Sequence, residues 1–186
     1  MLKSQIHPHF LFNTLNNLYR LVMKDEVAGE VVLKLSDLLR FTLYESNVES
    51  IPIKSEIKFL QDYIELEKIR HHDHVSIEYD FSAIENEENK IAPLLFINFI
   101  ENAFKHGVNK SRRGSWVKVI LIQKSDFLEF NISNSKPTFK KTVNTIGGKG
   151  LNNISSRLKL LYPDKHLLTI EDKEEVYSVD LKIDLI

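Results

Sequence analysis

Cysteine is absent from the 186 residues, which excludes disulfides and thiol chemistry and suits a reducing compartment. A surplus of either charge is missing too. Twenty-five basic residues against 26 acidic ones leave a net charge of −1, so no global field invites nucleic acid or an anionic membrane surface, and any phosphate binding has to be local. The longest apolar run, Ile91–Ile100, is interrupted by Pro93 and Asn98 and is too short to span a bilayer. No signal peptide, internal repeat or low-complexity segment is visible. One absence is confined to a single region: residues 1–24 contain neither Asp nor Glu, unusual for a surface helix. The 42% of hydrophobic residues suffice for a packed core, in one domain or in a short helical piece followed by a domain of about 100 residues.

If residues from about Pro8 are helical, Leu11, Leu15, Leu18 and Val22 form one apolar seam. His9, Asn13, Asn16 and Arg20 then form a separate polar stripe, which Gln5 joins if the helix runs on upstream. Pro8 lacks an N–H and clashes with the carbonyl at Ser4, so a kink or a helix start is expected beside His9, leaving its imidazole outward. The residue reads either as a histidine of an ordinary amphipathic helix or as a reactive group. Beyond Asp25 and Gly29, the spacing of Val32, Leu35, Leu39 and Leu43 predicts a helix over about Glu30 to Tyr44, and a third is expected over Lys54 to Arg70. His71-His72-Asp73-His74 invites a metal reading. Consecutive histidines cannot all converge on one ion, and a solvated helix end accounts for them better.

From Val75 the period becomes two, with Val75, Ile77, Tyr79 and Phe81 alternating with polar residues as in a strand exposed on one side. Further strands are expected near Trp116–Gln123, Phe127–Ser133, Leu167–Glu171 and Val176–Ile183, interrupted by two helices, which predicts an α/β layer with a mixed sheet. The first of these helices is expected to run from Pro93 to about His106, with Gly107 as its C-terminal cap. Leu95, Phe96, Phe99 and Ala103 share one side; Asn98, Glu101, Asn102, Lys105 and His106 share the other. That polar side suits an amphipathic surface helix, or equally a triphosphate with a divalent ion: oxygen ligands for Mg2+, a cation for phosphate oxygens, and a carboxylate able to take a proton. The second helix follows Gly147-Gly148-Lys149-Gly150-Leu151-Asn152-Asn153 and carries Ile154, Leu158 and Leu161 up to Pro163. Glycines ahead of a helix let backbone N–H groups approach phosphate, although most short glycine runs are turns.

Residues 2–16, LKSQIHPHFLFNTLN, resemble the phosphoacceptor signature of LytS-like sensor histidine kinases, L-x-x-Q-I-x-P-H-F-L-F-N-x-L-N. Leu38-Leu39-Arg40-Phe41 and the run Glu56 to Arg70 are similar to the same family's kinase domain, from which His71 departs where Phe is usual. Glu101-Asn102-Ala103-Phe104-Lys105-His106-Gly107 resembles the N box, E-N-A-x-K-H-G, of the gyrase, histidine-kinase and MutL ATPases. Gly148, Gly150, Leu151, Asn153, Arg157 and Leu158 fit that family's G-x-G-L-x-N-x-x-x-R-L. The D-x-G-x-G box expected between them is degenerate: strand alternation through Phe130 and Ile132 puts Asn134 where the adenine-binding aspartate belongs, with Ser133 a second candidate and neither glycine present. An asparagine can still accept from an amino group through its side-chain oxygen. Ser135–Ile146, with Lys136, Lys140 and Lys141, reads as a basic lid or as a solvated loop.

The resemblance implies an α+β protein. Residues 1–80 would form an α-helical dimerisation and phosphoacceptor segment, and residues 88–186 a two-layer α/β sandwich that binds ATP, with a mixed sheet and its helices on one face. It implies that His9 is phosphorylated, that Asn102 coordinates Mg2+, that Glu101 is the base, and that Lys105 and His106 approach phosphates. Asn98, Asn134, Gly148, Gly150, Leu151, Asn153 and Arg157 complete the implied nucleotide site. The implied cofactors are ATP and Mg2+. The implied partners are a second copy bound through the N-terminal helices and a response regulator, of LytTR type, whose aspartate receives the phosphoryl group. A membrane sensor would precede Leu2 in the full-length protein, leaving this catalytic portion cytoplasmic. The alternatives are a nucleotide-binding adaptor that signals without turnover, which the Asn134 segment favours, and a plain ATPase. Many histidine kinases carry an acid directly after the phosphoacceptor; here Phe10 follows. The proton acceptor for His9 is therefore expected from the docked ATP domain, with Glu101 first in line.

Overall fold

The computed structural model describes residues 8–71, 74–108, 114–136 and 148–185. It opens with a hairpin of two helices, α1 (Pro8–Val22) and α2 (Glu26–Arg40). Helix α2 starts at Glu26 rather than at the expected Glu30, because the Asp25 carboxylate accepts the Ala28 N–H at 3.1 Å and so caps the first turn. Gly29 lies buried within α2, where a Cβ would stand 3.5 Å from the Tyr19 ring of α1; it marks a close approach of the helices instead of a break. Leu15 and Val32 are buried, whereas Leu18, Leu21, Val27 and Leu33 remain exposed. After Arg40 the helix widens into a π-helical turn, Phe41–Glu45.

The next helix, α3 (Ile53–His71), follows the two-residue strand β1 (Ile51–Pro52) and is buried on two sides. Phe59 stacks on Phe41 with ring centroids 4.7 Å apart, and Asp62 accepts from Lys34 of α2 at 3.5 Å and from Lys58. Ile53, Ile57, Leu60 and Ile64 enter the main core, which also holds Phe81, Phe96, Phe130 and the inward residues of the sheet. That sheet has five strands in the order β2-β4-β5-β7-β6: β2 (Val75–Ile84), β4 (Ser115–Lys124), β5 (Phe127–Ser135), β7 (Val176–Asp184) and β6 (His166–Asp172). Strand β2 runs parallel to β4 and every other pairing is antiparallel, so the sheet is mixed, as the sequence predicts. The short β3 (Lys90–Ile91) pairs with β1.

The inward rows are Val117, Val119 and Leu121 of β4, Leu128, Phe130 and Ile132 of β5, and Val179, Leu181 and Ile183 of β7. Phe96 stacks on Phe130 at 4.6 Å and Phe99 meets it at 5.8 Å, anchoring α4 (Ile97–Ala103) on the sheet. Each such ring removed from water is worth about 1.5–3 kcal/mol. Helix α5 (Gly148–Leu161) contributes Ile154 and Leu158 to the same layer.

Helix α4 corrects the sequence reading, which starts it at Pro93 and continues it to His106. Leu94 adopts φ +54°, so the backbone cannot be helical there, and regular helix runs only over Ile97–Ala103. A second π-helical turn, Phe104–Val108, carries the chain on through Gly107.

Candidate functional site

The turn before α4 is held from both sides. The Glu56 carboxylate, fully buried in α3, accepts the N–H groups of Leu94 (2.8 Å), Leu95 (2.8 Å) and Phe96 (3.3 Å). A carboxylate at the mouth of a helix also meets its positive dipole end. Burial still pushes the Glu56 carboxyl above its ordinary value, against the opposing pull of the three amides and of Arg157. The Arg157 guanidinium, on α5, donates to the carbonyl of Leu94 at 2.7 Å and to that of Pro93. Tyr162, just past α5, accepts the Ala92 N–H at 2.9 Å through its hydroxyl oxygen. One turn of chain thus receives side chains from α3 and from the α5 region.

Helix α4 then presents Asn98 and Asn102, both half-buried, and the exposed Glu101, with Lys105 exposed on the π-helical turn. No hydrogen bond or ion pair among the described residues uses the side chains of Asn98, Asn102 or Lys105. The acids of α3 are in contrast all engaged. Glu65 takes Lys68 and Tyr79, and Glu67 takes Arg70 at 3.4 Å and His71 at 3.0 Å. The His71 ring lies flat against Phe104. Burial, then the charges of Glu67 and Glu101, raise the Tyr63 phenol above its ordinary value, so Glu101 lies within electrostatic reach of α3. Of the His71–His74 run, His71 is tied to Glu67 and His74 is exposed; residues 72 and 73 lie outside the described residues.

Asn134 falls on the inward row of β5, as the alternation predicts, and is 3% exposed. Its amide nitrogen donates to the Ser135 carbonyl at 2.8 Å, which leaves the side-chain oxygen as the acceptor. Gly107 fits against it: a Cβ there would lie 2.3 Å from the Asn134 nitrogen and 2.9 Å from the Ser135 oxygen. The end of the N-box segment and the degenerate box on β5 are therefore in contact. Ser133 sits on the outward row.

Gly148, Gly150 and Leu151 lie in the first turns of α5, and Asn153 is exposed one turn on. His9 is the second residue of α1. Side chains at His9, His106 and Leu151 lie outside the described residues, as do residues 137–147 of the expected lid. Lys136, expected in that lid, is held by Asp172 (2.7 Å) and the Lys173 carbonyl (2.7 Å). The residues missed by the sequence reading are Glu56 and Tyr162. Glu56 was recoverable, since it shares the apolar side of α3 with Ile53 and Leu60.

The donor set fits a magnesium nucleotide. Asparagine and glutamate oxygens are the hard ligands Mg2+ takes, Lys105 adds a cation, and the buried Asn134 can accept from an amino group. A mixed sheet with helices on one face, a polar helix in its crossover and a glycine-led helix beside it define the catalytic-domain fold of histidine kinases, here preceded by a helical hairpin. The comparisons agree. Residues 1–75 match the family model for histidine kinases. The chain is 30% identical to the sensor histidine kinase YpdA of Escherichia coli over 94% of its length and 32% of that protein's. It is 28% identical to the sensor protein LytS of Enterococcus faecalis over 93% of its length and 31% of that protein's. It therefore spans about a third of the length of these relatives. The Acinetobacter baumannii histidine kinase AdeS shares the fold, with a TM-score of 0.51 at 13% identity, covering 100% of this chain and 98% of that one. The chain is a LytS-like relative of the sensor histidine kinases. Among the described residues no helix is long and apolar enough to cross a membrane.

Proposed function

We propose that this chain is the catalytic portion of a two-component sensor kinase, which phosphorylates itself on His9 and passes the phosphoryl group to a response-regulator aspartate. The observation that carries the reading is that three motifs far apart in sequence meet along one segment, residues 93–107: Arg157 of α5 holds its start and Asn134 of β5 lies against its end. The N-box helix α4, the β5 box at Asn134 and the glycine-led α5 are joined through Gly107 and through Arg157. Residues 1–80 would be the helical phosphoacceptor domain and residues 88–186 the ATP-binding domain, with α3 between them sending Ile53, Ile57, Leu60 and Ile64 into the core of the sheet.

Mg-ATP would supply the γ-phosphoryl group. Asn102 would hold Mg2+, with Asn98 beside it. Lys105, His106 and the backbone of Gly148, Gly150 and Leu151 at the α5 terminus would bind phosphate oxygens, with Asn153 next to them. The Asn134 oxygen would accept from the adenine amino group. Glu101, exposed on α4 and without an ion pair among the described residues, would take the proton from the His9 imidazole as it attacks. The chain's work is positioning and charge neutralisation. Exposed Leu18, Leu21, Val27 and Leu33 support a homodimer through the hairpin. The recipient regulator would be of LytTR type, and a membrane sensor would precede the hairpin, leaving this portion cytoplasmic.

Incubation with γ-labelled ATP and Mg2+ tests the reading. An acid-labile label that disappears in His9→Gln is the expected result. Asn134 without its glycines favours a second reading, an adaptor that binds nucleotide and signals without turnover. ATP binding with no label on His9 would establish that reading instead. Steady phosphate release surviving His9→Gln would mark a plain ATPase.

A further inference from the structure

Leu94 is a bulky residue in the left-handed region, φ +54°, with no glycine at the turn to relieve it. Such a conformation is strained for a residue with a Cβ and persists only where its surroundings over-determine it. Here they do. The Leu94 N–H is bonded by Glu56 and its carbonyl by Arg157, each an ionisable side chain from a different helix. The same two side chains also hold Leu95, Phe96 and Pro93, so the exit direction of the turn, and with it the rotation of α4, is set by α3 and α5 together.

We propose that Glu56 and Arg157 are positioning residues that hold the strained Leu94 turn, and that Arg157 couples the glycine-led helix α5 to the N-box helix α4 instead of contacting phosphate itself. The proposal rests on reading α4 and α5 as the nucleotide site. It follows that movement of α5 when phosphates dock at its terminus reaches Asn98, Glu101 and Asn102 through two backbone carbonyls. A planar guanidinium can bond both carbonyls at once in a fixed fork. A lysine there keeps the charge, and would still serve a phosphate, but loses the fork.

The experiment compares ADP with Mg2+ binding to the wild type, Arg157→Lys, and Arg157→Lys combined with Leu94→Gly, by calorimetry. Thermal unfolding and amide exchange at Leu95 and Phe96 are recorded on each. Arg157→Lys is expected to weaken ADP binding about three- to tenfold and to speed exchange at both amides. Glycine occupies the left-handed region without steric penalty, so the double variant is expected to regain most of the affinity and of the amide protection. A direct phosphate contact predicts the opposite pattern, in which lysine retains affinity or the loss is untouched by Leu94→Gly; either result overturns the proposal while the kinase reading stands. A wild-type chain that takes up no ADP would overturn the kinase reading and this proposal with it.

Discussion

Glu56 and Arg157 grip the two ends of one residue: the carboxylate accepts the Leu94 N–H at 2.8 Å and the guanidinium donates to the Leu94 carbonyl at 2.7 Å. Glu56 also takes the N–H groups of Leu95 and Phe96, Arg157 also takes the Pro93 carbonyl, and their combined effect is to fix where α4 begins.

Replacing Glu56 by Ala leaves three amides without their acceptor, those of Leu95 and Phe96 buried and that of Leu94 part-buried, and is expected to lower stability by about 3–5 kcal/mol, at roughly 1–3 kcal/mol for each unpaired group less what relaxation recovers. Urea unfolding measures it. Glu56 also carries a pH signature. Its folded-state pKa is raised by burial above the ordinary 4.5, so the native state retains a proton that the unfolded chain releases. The corresponding stability is fully present below 4.5 and is lost as pH rises through the raised value. Glu56→Gln should flatten that part of the profile, and an unchanged slope would show that another group produces it.

Gly107→Ala forces a methyl into the Asn134 amide and the Ser135 carbonyl. A cost of about 1–3 kcal/mol is expected from overpacking, together with weaker ADP binding if the displaced Asn134 reads adenine as proposed. Calorimetry and thermal melts separate the two effects.

Asn134→Asp restores the residue that the superfamily pattern would place there, yet the surroundings are built for an amide. A carboxylate would face the Ser135 carbonyl with no hydrogen to offer. The variant should be less stable than the wild type at neutral pH, by about 1–3 kcal/mol. It should recover at acid pH, where the carboxyl regains a proton to donate. A variant as stable as the wild type at neutral pH would mean that the turn at Ser135 rearranges.

Glu101→Gln is expected to slow autophosphorylation by about 100-fold or more while ADP still binds. An unchanged rate would remove Glu101 as the proton acceptor and return the question to the residues around His9.

Much of this was legible in sequence where the cause is local. Period-two alternation identified the long strands and put Asn134 on the inward row, because a pleated strand turns every second side chain the same way. The spacing of α1 and α5 announced helices for the same kind of reason, although Leu18 of α1 and Leu161 of α5 are exposed where the pattern puts them on the apolar side. The start of α4 was not legible. Pro93 followed by an apolar run reads as a helix entry, and what delays the helix is a cap supplied from α3 through Glu56, a tertiary event with no signal beside Leu94. Gly29 misled in the opposite sense, since a glycine at a close helix crossing looks the same in sequence as one that ends a helix. Arg157 fits a motif by position, but its partners are carbonyls of another segment, which no motif records.

The parallel pairing of β2 with β4 has a consequence for how the molecule assembles. Strands β4 and β5, like β6 and β7, are antiparallel neighbours joined by short turns and can zip up locally. Strand β2 cannot: a parallel partner has to wait for a crossover to close, and here the crossover is the stretch that carries Leu94, α4 and Gly107. The residues that would handle the nucleotide thus lie in one of the two long connections that the sheet has to close, the other being the α5 connection between β5 and β7. Substitutions along them should show in the refolding rate as well as in catalysis, so a damaged site in this protein is also a delayed fold.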